Sequence, residues 1–273
     1  MTTFTRRLQR IGSSILVSLP KQWVDAHGLD KSAQVQIETT QNSLSITVDQ
    51  GRKQSKEIEI SYPLSSEENL AANITGAYLL GYDIITIKGK STISVKDREV
   101  IRESIRRLVG MEILDEDASN INGQFLLDET SLNPEKILKR MSSIALGMFN
   151  ETLLALATGD KTNLQTIPNR DDEINRQYFL LVRFIRSTMV DRRLAGIFNL
   201  ENIDILDYRV AGNILETAGD TIVELAKSIS GTTLSSSDKK KIHDVGKDIE
   251  TIQKKSIDAF ITNNRSLAIE SIK

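Results

Sequence analysis

The first fifty residues alternate between apolar and polar positions in short runs. Residues 34–38 and 43–48 place apolar side chains at every second position, which is typical of strands with one buried face. Residues 14–19 also predict a strand, and Pro20 after them suits the first turn of a short helix that Gly28 would end. This part of the chain is therefore predicted to be mainly β-structure with one short helix.

A polar stretch at residues 49–56 separates this part from a second block with mixed elements. Two apolar patterns at helical spacing, 67–80 and 95–109, lie among shorter runs that predict strands. The predicted strands are 57–61, 83–88, 112–114 and 124–127. The order strand, helix, strand, helix, strand, strand predicts a small α+β domain with both helices on one face of a sheet.

From residue 131 onward the apolar residues recur at spacings of three and four, the pattern of amphipathic helices. Asn133 and Pro134 supply a cap and a first helical residue for the first of these helices. Long helices are predicted at 134–157, 164–187, 205–229 and 238–261, with a further one beginning at Ser266. Helices of this length with short connections form antiparallel bundles.

The chain of 273 residues is therefore predicted to be a multidomain α+β protein with three domains, at 1–50, 51–130 and 131–273. Its net charge of −2 gives no overall attraction to nucleic acid, so any such function requires a local basic patch. It has no cysteine, which excludes disulfides and thiolate metal sites. The sequence shows neither a signal peptide nor an apolar run of about 20 residues, so we expect a cytoplasmic protein without membrane insertion.

Basic residues cluster near the N-terminus. Residues 1–31 contain five basic side chains against Asp25 and Asp30, which leaves a local charge of +3. The surrounding pattern of basic strand, glycine turn, apolar strand, Pro-Lys, helix, Gly-Leu, strand, turn and strand covers residues 5–48. It resembles the swapped-hairpin domain of the AbrB (SpoVT-AbrB) family of transition-state regulators. The Leu-Pro-Lys-x-Trp form at residues 19–23 is similar to the variant of archaeal regulators.

This resemblance implies that two chains interleave their hairpins into one barrel, a homodimer that binds DNA. Fifty residues with four short strands bury too little surface alone, and the interleaving of two chains remedies this. The implied DNA-binding residues, which would contact phosphates and groove shape more than individual bases, are Arg6, Arg7, Arg10 and Lys21. The alternative is that these side chains are only the solvated edge of a strand.

Two acidic segments lie within the predicted bundle. One is Asp171-Asp172-Glu173-Ile174-Asn175 and the other is Leu215-Glu216-Thr217-Ala218-Gly219-Asp220. Both resemble motifs of PhoU, a family of phosphate-uptake regulators built from repeated three-helix bundles. The metal ligands that this resemblance implies are Asp171, Asn175, Glu216 and Asp220. Residues at i and i+4 share a helix face, so two adjacent helices can bring these four oxygen-bearing groups together.

Oxygen ligands favour a hard divalent cation, so Mg²⁺ or Mn²⁺ is expected ahead of Zn²⁺ or iron. Two positions depart from the family's motifs, because Asn175 replaces a charged ligand and Thr217 stands where the family has arginine. The sequence ends at Lys273, so the second three-helix repeat would be incomplete and at most one metal site is expected. The alternative is a row of solvated acids on the helix surface.

Together the two resemblances imply a DNA-binding transcriptional regulator of phosphate uptake or homeostasis. In the alternative, the chain is a PhoU-type adaptor that modulates a phosphate transporter or its ATPase, and the N-terminal module only dimerises. An enzyme is not expected, because the sequence has no nucleophile elbow, no Walker motif and no histidine-centred triad.

Overall fold

The computed structural model of the chain describes residues 3–39, 44–48, 55–65 and 67–272. The chain forms two compact units, Met1–Gln54 and Ser55–Lys273. The predicted turn at 41–42 and residues 49–54 of the predicted linker lie outside the described residues. Within the described ranges, no helix has both the length and the apolarity needed to cross a membrane.

The N-terminal unit consists of two β-hairpins and one short helix. Strands β1 (Gln9–Ile11) and β2 (Ser14–Leu16) pair in antiparallel fashion, with Gly12 at φ +62° in the turn between them. Glycine adopts such a left-handed φ without steric cost, so the chain can reverse within two residues here. Helix α1 (Lys21–Ala26) follows Pro20, as the sequence predicts.

Strands β3 (Val35–Thr39) and β4 (Leu44–Val48) form the second hairpin, with Ile37 opposite Ile46. Each hairpin is a separate two-stranded sheet, and no sheet among the described residues closes into a barrel. The described residues of one chain therefore do not show the swapped-hairpin barrel that the AbrB resemblance implies, which would draw its strands from two chains.

No side chain described in the N-terminal unit is buried. Leu8 is 70% exposed and Ile15 is 67% exposed, and Ile37 and Leu44 are each more than half exposed. Folded domains normally hide most of their large aliphatic side chains, and a domain this small has little other stabilisation. The unit therefore presents an uncovered apolar surface of the kind that marks an interaction site.

The second unit begins with a four-stranded sheet on which two helices pack. Its elements are strands β5 (Glu57–Tyr62), β6 (Ile84–Gly89), β7 (Met111–Glu116) and β8 (Asn120–Phe125) and helices α2 (Leu70–Leu79) and α3 (Val95–Arg106). The strand order is β5-β6-β8-β7, with β5 and β6 parallel and the other pairs antiparallel. The mixed α+β class predicted from the sequence is confirmed.

The last strand lies earlier in the chain than the sequence pattern predicts. β8 runs over residues 120–125 rather than 124–127, with Ile121, Gly123 and Phe125 on its buried face. Gly123 interrupts the apolar alternation in the sequence. A Cβ atom at this position would lie 3.1 Å from Cδ1 of Ile105, so glycine lets α3 approach the strand closely.

Polar side chains fix where three of the helices begin. Asn69 and Ser94 accept hydrogen bonds from backbone N–H groups in the first turns of α2 and α3, and Asn133 does the same for the next helix. Such caps satisfy N–H groups that have no partner within the helix. The predicted Asn133-Pro134 start of the bundle is confirmed, and Gly159 at φ +80° ends that first long helix.

The rest of the second unit is helical. Its helices are α4 (Pro134–Thr158), α5 (Ile167–Val190), α6 (Arg192–Ile197), α7 (Asn202–Gly231), α8 (Ser236–Ile261) and α9 (Arg265–Ile272). Helices α4, α5 and α7 pack against one another, α8 packs on α4, and α9 packs on α8. The four long helices predicted from the sequence are confirmed. The short helix α6, which starts at the capping residue Asp191, was not predicted.

Buried apolar side chains of the sheet and the bundle form one continuous core. Arg183 of α5 lies against this core and is 1% exposed. Its Nη1 donates to the carbonyl oxygens of Tyr78 at 3.1 Å and Tyr82 at 2.7 Å, and its Nη2 donates to Oδ1 of Asp83 at 2.6 Å. A buried charge is tolerated when it is paired and hydrogen-bonded, as it is here. The contact joins α5 to the loop between α2 and β6.

A glycine lets α7 pack closely against α5, and this predicts the effect of adding one methyl group. A Cβ atom at Gly212 would lie 2.6 Å from Cδ2 of Leu181, so Gly212→Ala is expected to lower the free energy of unfolding by roughly 1–3 kcal/mol. Gly76 in α2 has no such neighbour within 4 Å. Gly76→Ala is therefore expected to raise the free energy of unfolding by about 0.5–1 kcal/mol. Urea unfolding of both variants checks this, and equal effects would contradict it.

Candidate functional site

Two neighbouring helices carry the four candidate metal ligands. Asp171 and Asn175 lie one turn apart on α5, and Glu216 and Asp220 lie one turn apart on α7. Because α5 and α7 pack against each other, both pairs belong to the same side-by-side helix contact. The structure thus places the two sequence motifs on two helices that pack against each other.

Asp171 leans against the backbone of α7 at Gly219. A Cβ atom at Gly219 would lie 2.4 Å from Oδ1 of Asp171 and 3.0 Å from Cδ1 of Ile174. Any larger residue would have to push the carboxyl group aside. Gly219 therefore forms the cradle in which the Asp171 side chain lies.

The carboxyl group of Asp171 is only partly satisfied by hydrogen bonds. Its Oδ2 accepts from Nδ2 of Asn175 at 3.3 Å. Its Oδ1 is buried and has no hydrogen-bond donor among the described residues. A buried acceptor without a donor costs about 1–3 kcal/mol, which makes this atom a natural point of contact for a cation or a proton.

Negative charge accumulates around this carboxyl group. Burial raises the pKa of Asp171 to about 6, and the negative charges of Asp220, Asp172 and Glu216 add to the effect. Burial also raises the pKa of Glu216, again with a contribution from Asp220. Repulsion between these carboxylates favours the uptake of positive charge at the site.

Arginine still influences this site although Thr217 stands where the PhoU motif has arginine. Thr217 is exposed, and its hydroxyl donates to the carbonyl oxygen of Asn213 at 3.0 Å. Arg209, two turns earlier on α7, lowers the pKa of Glu216 and so opposes its burial. It also hydrogen-bonds the hydroxyl of Tyr178 on α5.

The oxygen atoms of the candidate ligands suit a hard cation, but the side chains as placed do not form a coordination sphere. All four candidate ligands offer oxygen, and one buried oxygen of Asp171 lacks a partner. Among the residues that the structure describes, no group of three or more histidine, aspartate or glutamate side chains is arranged to hold a metal ion. Side-chain rearrangement is therefore required before the three carboxylates among these groups could share one ion.

The same stretch of α5 also contacts the sheet domain. Asp172 forms an ion pair with Arg107, which directly follows α3, and Nε of Arg176 donates to the carbonyl oxygen of Arg107 at 3.2 Å. A cavity of about 320 Å³ lies between α2, α3 and α5, and Asn175 and Phe179 are among its lining residues. Of the four candidate ligands, Asn175 is therefore the one that lines this cavity beside the sheet domain.

The basic candidates of the N-terminal unit are all exposed. Arg10 lies in β1 and Lys21 is the first residue of α1, whereas Arg6 and Arg7 precede the first strand. Arg6 donates to the carbonyl oxygen of the residue before it at 3.3 Å, and Arg10 donates to a turn carbonyl at 3.4 Å. These are weak, local bonds.

None of the four basic side chains forms an ion pair with a carboxylate that the structure describes. Their positive charges are thus not neutralised by acidic side chains in the described part of the chain. This arrangement is compatible with binding to a polyanion and equally with side chains that are only solvated.

Sequence reasoning missed the buried pair Arg183 and Asp83. One signal was present, because Arg183 is the single charge within the apolar run at residues 179–185 of a helix. A lone charge on a core-facing helix segment requires a buried partner. The identity of that partner, about a hundred residues earlier in the chain, could not be read from the local pattern.

The raised pKa of Asp171 predicts a pH-dependent gain from Asp171→Asn. Between its ordinary pKa of 3.8 and about 6, the folded chain holds a proton that the unfolded chain releases, so stability falls as pH rises through this window. Above pH 6 the variant should be more stable by about 1 kcal/mol, since solvent screens much of the effect at a partly open site. Below pH 4 the difference should vanish. Urea unfolding across this range measures it, and a difference independent of pH would contradict it.

Residues 138–229 match the sequence model of the PhoU domain family, over about a third of the chain. No curated protein and no solved structure matches the chain. The matched range includes α5, α6 and most of α4 and α7, and so contains all four candidate ligands. A PhoU domain suggests a regulatory or adaptor role in phosphate homeostasis. The helical part of this chain therefore contains a PhoU-like domain.

Proposed function

We propose that the chain is a DNA-binding transcriptional regulator of phosphate uptake or homeostasis that acts in the cytoplasm. Its N-terminal unit binds DNA as a homodimer. Its PhoU-like domain responds to a bound divalent cation or to a partner such as the ATPase of a phosphate transporter. The proposal rests mainly on the combination, in one chain, of exposed basic side chains without carboxylate partners and a PhoU-like domain.

The charge of the N-terminal unit supports the DNA-binding part of the proposal. Four basic side chains per chain, Arg6, Arg7, Arg10 and Lys21, make eight in a dimer. Each phosphate that such a group neutralises releases counterions, which favours binding at low salt. The overall charge of −2 does not oppose this, because electrostatic interactions between solvated charges fade beyond about 10 Å at 0.1 M salt.

The exposed apolar side chains of the same unit support the homodimer. Leu8 directly precedes the first hairpin, and Ile15 and Ile37 lie in the two hairpins, whose described side chains include none that is buried. A second copy offers the same hairpins and the same apolar side chains, so interleaving of the two chains would bury both sets at once. A dimer of this kind also brings the arginines of both chains into one assembly.

The proposed cation of the PhoU-like domain is Mg²⁺ or Mn²⁺, held by Asp171, Asn175, Glu216 and Asp220. The donor-free oxygen of Asp171 and the raised pKa values of Asp171 and Glu216 support this position. When bound, the ion supplies positive charge to a group of mutually repelling carboxylates. Gly219 leaves the space that the Asp171 carboxyl group occupies.

The second candidate function is a PhoU-type adaptor that does not bind DNA. The family match favours it, because a PhoU domain suggests an adaptor role as readily as a regulatory one. In this case the N-terminal unit only holds two chains together, and its arginines remain solvated. The two candidates differ in one property that can be measured, which is affinity for duplex DNA.

DNA binding predicts a steep and arginine-dependent salt effect. Fluorescence anisotropy with a labelled duplex of mixed sequence should show that affinity falls roughly 10³-fold or more between 50 and 200 mM salt. Arg6→Ala combined with Arg10→Ala removes four charges per dimer. The slope of log affinity against log salt should then decrease in magnitude by about 4.

A matched control replaces two exposed arginines of the second unit, Arg106→Ala with Arg186→Ala. This variant changes the net charge by the same amount and should leave both affinity and salt slope unchanged. Absence of binding by the unaltered chain at low salt would contradict DNA binding and favour the adaptor. Equal losses of DNA affinity in the two double variants would show that binding depends on the overall charge and not on Arg6 and Arg10.

A further inference from the structure

Arg183 and Asp83 occupy an unusual position in the second unit. Arg183 is 1% exposed and the side chain of Asp83 is 14% exposed. The guanidinium also lies over the ring of Phe125, at 4.0 Å from the ring centre. Three hydrogen bonds and two aromatic rings thus hold the head of Arg183 in one orientation.

Asp83 shares its carboxyl group between two partners from distant parts of the chain. One oxygen, Oδ1, accepts from Arg183 on α5, and the other, Oδ2, accepts from the backbone N–H of Lys56 at 3.0 Å. The backbone of Asp83 adds two further bonds. Its N–H donates to the carbonyl oxygen of Lys56 at 2.7 Å, and its carbonyl accepts from the N–H of Phe125 at 2.8 Å. A single residue therefore connects α5, β8 and the beginning of β5.

Lys56 is the second residue of the second unit, which begins at Ser55 directly after the N-terminal unit. The residue bound by Asp83 is thus at the point where the chain passes from one unit to the other. At the other end of the contact, Arg183 stands twelve residues after Asp171 on the same helix. Twelve residues correspond to about 18 Å along a helix, a distance over which a packed helix moves as one body.

The polar contacts that α5 forms with Arg107, which directly follows α3, are of a different kind. Arg107 and Asp172 have side chains that are 63% and 53% exposed, so solvent screens their ion pair. Exposed pairs tolerate small shifts with little change in energy, whereas a buried and multiply bonded pair keeps its partners in register. Arg183 therefore holds α5 to the sheet domain more firmly than Arg107 does.

We infer that the Arg183–Asp83 contact is a mechanical link that passes a change at the acidic end of α5 to Lys56, where the chain leaves the N-terminal unit. The inference rests on the proposed function only for the natural input, a cation at Asp171. The link itself needs no cation, because any change that alters how α5 lies against α7 would travel along the same helix.

The experiment is a double-mutant cycle read by amide hydrogen exchange of the full chain. Asp171→Asn removes one of the three acidic side chains at residues 171–173 of α5. In an otherwise unaltered chain, this substitution should change the amide hydrogen-exchange rates of residues 55–62 and 80–86 by about threefold or more. The link is broken by Arg183→Met with Asp83→Asn, in which the amide oxygen can still accept from the N–H of Lys56. In the chain with the broken link, Asp171→Asn should change the exchange rates of the same residues by less than about 1.5-fold.

Arg107→Ala is the matched control, since it removes the exposed arginine contact of the same helix. In this background Asp171→Asn should keep its full effect on residues 55–62. Should the double replacement fail to fold, Arg183→Lys is used instead, because lysine keeps the positive charge but lacks the several fixed N–H donors of the guanidinium. In this background Asp171→Asn is expected to change the exchange rates of residues 55–62 less than in the unaltered chain. No effect of Asp171→Asn at residues 55–62, or an equal effect with the link broken, overturns the inference.

A separate titration with Mn²⁺ distinguishes this inference from the proposed function. Binding of Mn²⁺ to the unaltered chain, followed by calorimetry, tests the cation site alone. If Mn²⁺ does not bind while the cycle shows coupling, the cation site is wrong and the link stands. If Mn²⁺ binds and the cycle shows no coupling, the link is wrong and the site stands.

Discussion

The guanidinium of Arg183 can remain inside the second unit only because Asp83 neutralises it and two backbone carbonyls accept its hydrogen bonds. Loss of one partner from such a pair leaves a charge that water cannot reach, at a cost of about 3–5 kcal/mol. The surrounding core of apolar side chains supplies most of the stabilisation, as in other domains. We interpret the buried pair as the interaction that fixes how the helical bundle lies on the sheet, and hence where the acidic residues of α5 are held.

The N-terminal unit differs from the second unit in how its apolar side chains are covered. Apolar side chains such as Leu8 and Ile15 remain exposed in one chain, and the described strands of the unit form no closed sheet. In the proposed homodimer a second copy supplies the covering surface, since it offers the same hairpins and the same exposed apolar side chains. The two units thus represent two solutions to one constraint, an internal core in the second and a shared one proposed for the first.

Local sequence patterns predicted the elements whose cause is local. The cap at Asn133, the proline after it and the apolar spacing of the long helices all act within a few residues, so the bundle and its PhoU-like motifs could be recognised. The strand order of the sheet and the span of β8 depend on distant contacts, such as Ile105 against Gly123. Distant contacts also limited the prediction of the site, because the motifs indicated Asp171 and Glu216 but not the packing of Asp171 on Gly219. The pairing of Arg183 with Asp83 was missed for the same reason.

The regulatory function proposed for this chain requires two N-terminal units to meet. Sedimentation equilibrium of the full chain tests this most directly. A dimer of twice 30.5 kDa is expected, and Ile15→Lys should shift it towards monomer, while Leu154→Lys at a similarly exposed position of α4 should not. A chain that is monomeric at micromolar concentration, or a dimer unaffected by Ile15→Lys, would contradict the shared core.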